Sequence, residues 1–318
     1  MRNDWLSIAL EDLAVLRVHG TDATRFLQGQ LSHDLTKLGQ ARSLLAGFHN
    51  PQGRVLGLLR LVWIASDELL GVVPRELAAS LAARLSKFVL RSKVRITDAS
   101  ADWRITGLLA PESAQDPLPG GIILPTHPNV QSAHGTTVII SVGNSRWMVL
   151  SPTTATADRF LEIPGGLGDR ETWRRLDIEA GQPQVYAATA EEFVAQMLNL
   201  DVIDAISFDK GCYTGQEVIA RAHYRGRVKR RLQRFVSRTP LELKPGNSGQ
   251  LPDGRTFKVV DAVQLADGRC EFLAVAPMLA DTADTGDAAD TATPGAIAGS
   301  GKIVVDCEQL TLPYPLPA

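Results

Sequence analysis

The sequence predicts an α+β protein: two successive α+β layer domains, residues 1–100 and 101–226, followed by a small antiparallel β-barrel over 227–318. Three observations carry this. Up to about residue 100, alternating apolar runs are interleaved with stretches of helical periodicity. The same mixture recurs up to about residue 226. From 227 the texture changes to short β-rich runs separated by turn signals.

In the first unit "AVLRVHG" (14–20) alternates as a strand and enters "TDATRFLQGQL", where Thr21 or Asp22 caps a helix with Phe26 and Leu27 on one face. "LLAGFHN", the turn "NPQG" (50–53) and "VLGLLRLVWIA" form a hairpin. Pro74 opens a helix with Leu77, Leu81, Leu85 and Phe88 at near-helical spacing, and "KVRIT" returns as a strand. The second unit has strands "WRITGLLA", "TTVIISVG" and "RWMVLS", a Pro/Gly-rich loop at 117–125, and helices "TATADRFLEI" and "DRETWRRLDIEAG". Asp169 is the candidate N-cap of the latter and Gly181 its C′ residue. The third unit runs through "RVKRRLQRFVS", "PDGRTFKVVDAVQL", "ADGRCEFLAVAP" and "GKIVVDCEQL", with a low-complexity loop at about 280–300 whose aspartates, Asp281 to Asp290, recur without any base.

With 44% hydrophobic and 21% charged residues the 318-residue chain can bury substantial cores. A formal net charge of -2 excludes a general polycation, so any basic surface is local. No apolar run approaches the roughly 20 residues that cross a bilayer, and the start "MRNDWLSIAL" has no signal h-region; no membrane role and a cytoplasmic location are the expectations. The three cysteines, Cys212, Cys270 and Cys307, are widely spaced and form no CxxC, which argues against a disulfide framework or a resident metal site.

The most informative stretch is "DKGCYTGQEVIARAHYRGRVKRR", residues 209–231. Thr214 and Glu217 make a T-x-x-E capping box, with Tyr213 and Val218 in the staple positions, so a helix is expected to start at 214. Cys212 then sits just outside the positive end of a helix dipole, with Lys210 nearby and Gly211 freeing the backbone. Such surroundings lower a thiol pKa and suit a nucleophile or ligand. A lone cysteine at a helix start also serves as a small buried hydrophobe. Beyond it, Arg221, His223, Arg225, Arg227, Lys229, Arg230, Arg231 and Arg234 run on without an acid. This positive stretch suits an RNA backbone, another anion, or a solvated strand face.

In "DRETWRRLDIEAG", Trp173 shares a helical face with Leu176 and Ala180, which suits a core residue or a wall for a flat heterocycle. Glu179 stands near the helix end, where the macrodipole disfavours an anion. A carboxylate beside an indole is the pairing an aminopyrimidine edge requires.

With these residues in view, the chain resembles the YgfZ-type folate-binding proteins, relatives of the glycine-cleavage T-protein (aminomethyltransferase). The family signature K-G-C-Y/F-T/I-G-Q-E stands here as "KGCYTGQE", residues 210–217. "FLQGQLSHDL" (26–35), "LLAGFHNPQGRVL" (44–56), "FVLRSKVRI" (88–96), "WRRLDIEAGQP" (173–183) and "LPYPL" (312–316) extend the likeness over nearly the whole chain. The resemblance implies a T-protein-like three-domain ring around an opening for tetrahydrofolate. It also implies a role in iron–sulfur cluster synthesis or repair, and through cluster enzymes in tRNA thiolation, with those enzymes or cluster-assembly proteins as partners. It makes Cys212 the functional thiol, with Lys210 beside it, Trp173 a folate contact and Glu179 the pterin carboxylate. Of two tryptophans that flank the folate site in bacterial members, the first position holds Leu13 here. The expectation is an accessory factor rather than a classical one-carbon transferase. An aminomethyltransferase and a direct RNA-binding tRNA-modification factor are the alternatives.

Overall fold

The computed structural model describes residues 4–111, 122–154, 165–226, 228–279 and 304–317. All but Thr154 of the expected helix at 154–163, the loop at 280–300 and most of the loop at 117–125 lie outside them. Three sheets dominate, with four α-helices among the described residues. No helix among these residues is long and apolar enough to cross a membrane.

The first sheet holds β2 (Leu13–His19), β3 (Leu44–His49), β4 (Val55–Ala65), β5 (Glu68–Pro74) and β6 (Arg95–Asp98) in the order β3-β4-β5-β2-β6, all antiparallel. Helices α1 (Ala23–Gln28) and α2 (Arg75–Ser86) accompany it. Asp22 precedes α1 as expected, yet its carboxylate accepts from the Lys93 amide at 2.8 Å instead of capping the helix. Leu77, Leu81 and Leu85 of α2 are buried, each worth about 1.5–3 kcal/mol of apolar transfer. The helix stops at Ser86, so Phe88, expected on the same face, is 45% exposed.

The second sheet joins β1 (Trp5–Ala9), β7 (Trp103–Leu109), β8 (Gln131–His134), β9 (Thr137–Gly143), β10 (Arg146–Pro152) and β11 (Gly165–Leu167) in the order β11-β1-β7-β10-β9-β8. The β1–β11 pair is parallel and the rest antiparallel. The chain thus enters through this sheet before building the first one. Helix α3 (Arg170–Glu179) follows, with the expected ends. Asp169 accepts from the Thr172 amide at 2.7 Å, and Gly181, at φ +63°, completes a Schellman turn in which the Gln182 amide donates to the Asp177 carbonyl.

The third sheet, β12 (Arg230–Ser237), β13 (Ser248–Gln250), β14 (Thr256–Gln264), β15 (Cys270–Pro277) and β16 (Cys307–Leu310), has the order β13-β14-β15-β12-β16. Among the described residues the sheet expected as a barrel does not close: β13 and β16 are its edges, and an isolated bridge joins Gln250 to Val304. The strand β15 is buried on both faces, which is why it reads as an unbroken apolar run. Phe272 and Ala274 enter the core of this sheet, whereas Leu273 and Val275 enter the core shared with the first sheet.

Candidate functional site

A cavity of about 600 Å³ opens where the three sheets meet α3, within the size range of small-molecule sites. Arg60 of β4, Arg146 of β10, Trp173 and Asp177 of α3 and Asp261 of β14 line it, with Leu13 at the start of β2. Trp173 and Asp177 share one face of α3 because they are one turn apart. Trp173 is 6% exposed, and its benzo edge lies so close to Gly107 that a Cβ there would stand 2.4 Å from the ring. The Arg146 guanidinium lies 5.1 Å from the indole centroid and donates to Asp177 through Nη1 at 2.8 Å.

These charges are held away from bulk water. Burial pushes the Asp177 carboxyl above its ordinary range, opposed by the Arg146 charge. Asp177 still keeps 29% of its side-chain surface accessible. Burial lowers Arg60 to about 10, with Asp177 opposing. The Nε of Arg146 is buried without a hydrogen-bond partner. A second pair stands beside the first: Arg174 binds Asp261, which also accepts from the Tyr186 hydroxyl at 3.0 Å. Burial pushes Asp261 up to about 6 despite the Arg174 charge.

Of the residues singled out in the sequence, Trp173 and Leu13 are on the cavity wall, and Glu179 is not. Glu179 reaches the Arg175 guanidinium at 3.1 Å and lies 3.9 Å from Arg234, beside the buried Glu271. Helix geometry is the reason: six residues beyond Trp173 the side chain leaves on another face. Asp177, at i+4 from Trp173, is the α3 carboxylate on the cavity wall beside the indole.

The signature segment is built differently from its local pattern. Helix α4 (Gln216–Arg225) has Gly215 as N-cap, at φ +82°, with no side-chain capping bond, so the expected box of Thr214 and Glu217 is absent. The cause is a long-range contact: a Cβ on Gly215 would meet the Asn50 carbonyl at 2.5 Å and the Gly53 Cα at 3.0 Å. The β3–β4 turn sets where the helix begins. Tyr213 is buried near the His49 ring, 6.2 Å between centroids, while Val218 stays 40% exposed, so the expected staple does not form.

Cys212 is exposed, three residues ahead of Gly215, and does not line the cavity. Lys210 donates through Nζ to the carbonyls of Gln28 and Leu31, both at 2.6 Å, and of His33 at 2.9 Å. Burial lowers this ammonium to about 8, with Asp34 opposing. All three of its hydrogens are engaged, leaving none for the thiol. Lys210 therefore fastens "KGCYTGQE" to "FLQGQLSHDL", a link between the two motifs that sequence inspection does not reveal. No cluster of three or more His, Cys, Asp or Glu among the described residues is arranged to hold a metal.

The basic run divides in two. Arg231 is buried and paired bidentately with Asp201 at 2.9 and 3.0 Å, Arg234 binds Glu271, and Arg230 donates to the Thr256 carbonyl. Arg221, Arg225 and Lys229 remain exposed; Arg227 lies outside the described residues.

No family model matches the chain. Its fold is that of the glycine-cleavage aminomethyltransferases: the crystal structure of glycine cleavage system aminomethyltransferase T from Bartonella henselae superposes with a TM-score of 0.63, covering 87% of this chain and 79% of that one at 14% identity. The "tRNA-modifying protein YgfZ" of Sodalis glossinidius is 34% identical, covering 82% of this chain and 81% of its own. That of an Enterobacter strain is 33% identical over 82% of each. The chain belongs to the YgfZ family of tRNA-modifying proteins.

Proposed function

We propose that the protein binds tetrahydrofolate in the cavity and acts, through Cys212, as an accessory factor for iron–sulfur cluster synthesis or repair in the cytoplasm. Cluster enzymes and assembly proteins are its partners, and tRNA thiolation is the downstream process. The observation that carries the folate reading is the wall of Trp173, Asp177 and Arg146 in a T-protein-like fold. These residues fit the ligand: the indole and the Leu13 side chain bound an apolar slot, and the Asp177 carboxylate suits an aminopyrimidine edge.

Asp177 takes the part that sequence position suggested for Glu179. Arg146 holds that carboxylate in place and opposes the upward push that burial gives its pKa. Bound tetrahydrofolate supplies one-carbon or reducing chemistry. Cys212, exposed on a segment anchored by Lys210, is positioned to meet a partner protein rather than the cavity interior. The aminomethyltransferase reading rests on the shared fold alone.

The test is rescue of an iron–sulfur enzyme in a strain lacking its own homologue. Wild type and Glu179→Gln restore activity, and Cys212→Ala at equal protein level does not. Equal rescue by Cys212→Ala would remove the thiol from the account.

A further inference from the structure

Helix α4 is joined to the body by little. Ile219 is its one buried side chain, and the Gln196 amide donates to the Ile219 carbonyl at 2.7 Å. The remainder projects outward, with Tyr224 66% exposed. Phe208, half-buried and packed on the main core, stacks on the His223 ring at 3.7 Å between centroids and 14° between planes. Tyr224 stands edge-on to both, at 4.7 Å from His223 and 6.1 Å from Phe208. The three rings form an aromatic platform at the surface, backed by the core through Phe208.

Cations stand along the same stretch of chain. Arg221 and Arg225 on α4 and Lys229 just beyond are exposed and make no ion pair among the described residues, unlike Arg231 and Arg234. The exposed acids of this region, Asp209 and Glu217, lie ahead of the last turn of α4. In a protein of net charge -2 this combination is local.

We propose that the C-terminal end of α4, with Phe208 beneath it, docks single-stranded RNA. Flat rings that accept unstacked bases, together with exposed cations that can meet phosphates, are what sequence-tolerant single-strand sites contain. A duplex offers its phosphates but keeps its bases stacked. An acidic protein surface satisfies the arginines and gives the rings no flat partner. The inference does not depend on the folate reading.

The experiment is fluorescence anisotropy of the full chain with a labelled oligouridylate of about 12 nucleotides, at about 50 and about 200 mM salt. Saturable binding is expected. Tyr224→Ala weakens it about tenfold, in line with the loss of one base stack. The double variant Arg221→Gln with Arg225→Gln lowers the slope of log affinity against log salt by about 1.4, two phosphate contacts on a single strand. Inorganic polyphosphate, which has no bases, binds Tyr224→Ala and wild type alike. Unchanged urea midpoints establish that these surface variants are folded. No saturable binding at the lower salt, leaving the patch to an acidic protein, overturns the proposal. So does binding that follows the arginines and ignores Tyr224.

Discussion

At position 49 a histidine is sealed at 1% exposure against Gly47 and Tyr213. Burial holds its pKa down at about 3, with the Gly53 backbone opposing. The unfolded chain takes up this proton near pH 6.5, and the native protein does so only near 3. The stability contributed by a neutral His49 is therefore complete above about pH 6.5 and is lost as pH falls, by at most about 1.4 kcal/mol per unit. Urea midpoints between pH 7 and 4 should fall less steeply for His49→Leu than for wild type, whatever the absolute stability of the variant. Parallel slopes would contradict the assignment. Lys210 teaches the complementary lesson about single residues. Its neighbourhood in sequence suggested a partner for Cys212, whereas its hydrogens go to carbonyls some 180 positions away, which no local pattern encodes.

Among the elements, α3 was legible from end to end because its stops are local. Asp169 and Gly181 need only their own turns to act. Gly181 does more than end the helix: its carbonyl accepts from the Tyr314 hydroxyl at 2.6 Å, which seats the C-terminal "LPYPL". A Cβ there would stand 2.7 Å from that hydroxyl and 2.8 Å from a Leu312 methyl. Gly181→Ala should cost about 2 kcal/mol, combining left-handed strain with the displaced hydrogen bond. Gly135→Ala, at φ +62° in open space, should cost about 1 kcal/mol from strain alone. Urea unfolding of both separates the two contributions, and equal losses would show that the Tyr314 seat adds nothing. The start of α4 could not be read in this way. Its sequence offered a capping box, and the approach of the Asn50–Gly53 turn to Gly215 overrode it.

For the molecule as a whole, alternation and turn residues located most strands, while pairing between distant strands stayed hidden. Nothing in "WLSIA" announces that β1 inserts between β7 and β11, and nothing in the last strands says whether their sheet closes. The cavity depends on this assembly, because Arg60, Arg146 and Asp261 come from three different sheets. Only Trp173 and Leu13 were placed there in advance, through the family likeness. That Asp177 lines the cavity while Glu179 turns to Arg175 follows from the assembled fold and not from either residue's place in the sequence.

The central claim is that this wall holds tetrahydrofolate, and calorimetric titration of the purified protein tests it most directly. Wild type should bind. Asp177→Asn should weaken binding about 10- to 100-fold, as expected for loss of a charged acceptor. Trp173→Phe should weaken it severalfold, with matching urea midpoints confirming that both variants are folded. Glu179→Gln should bind as wild type does. No binding by wild type, or a loss at Glu179→Gln with none at Asp177→Asn, would contradict the account.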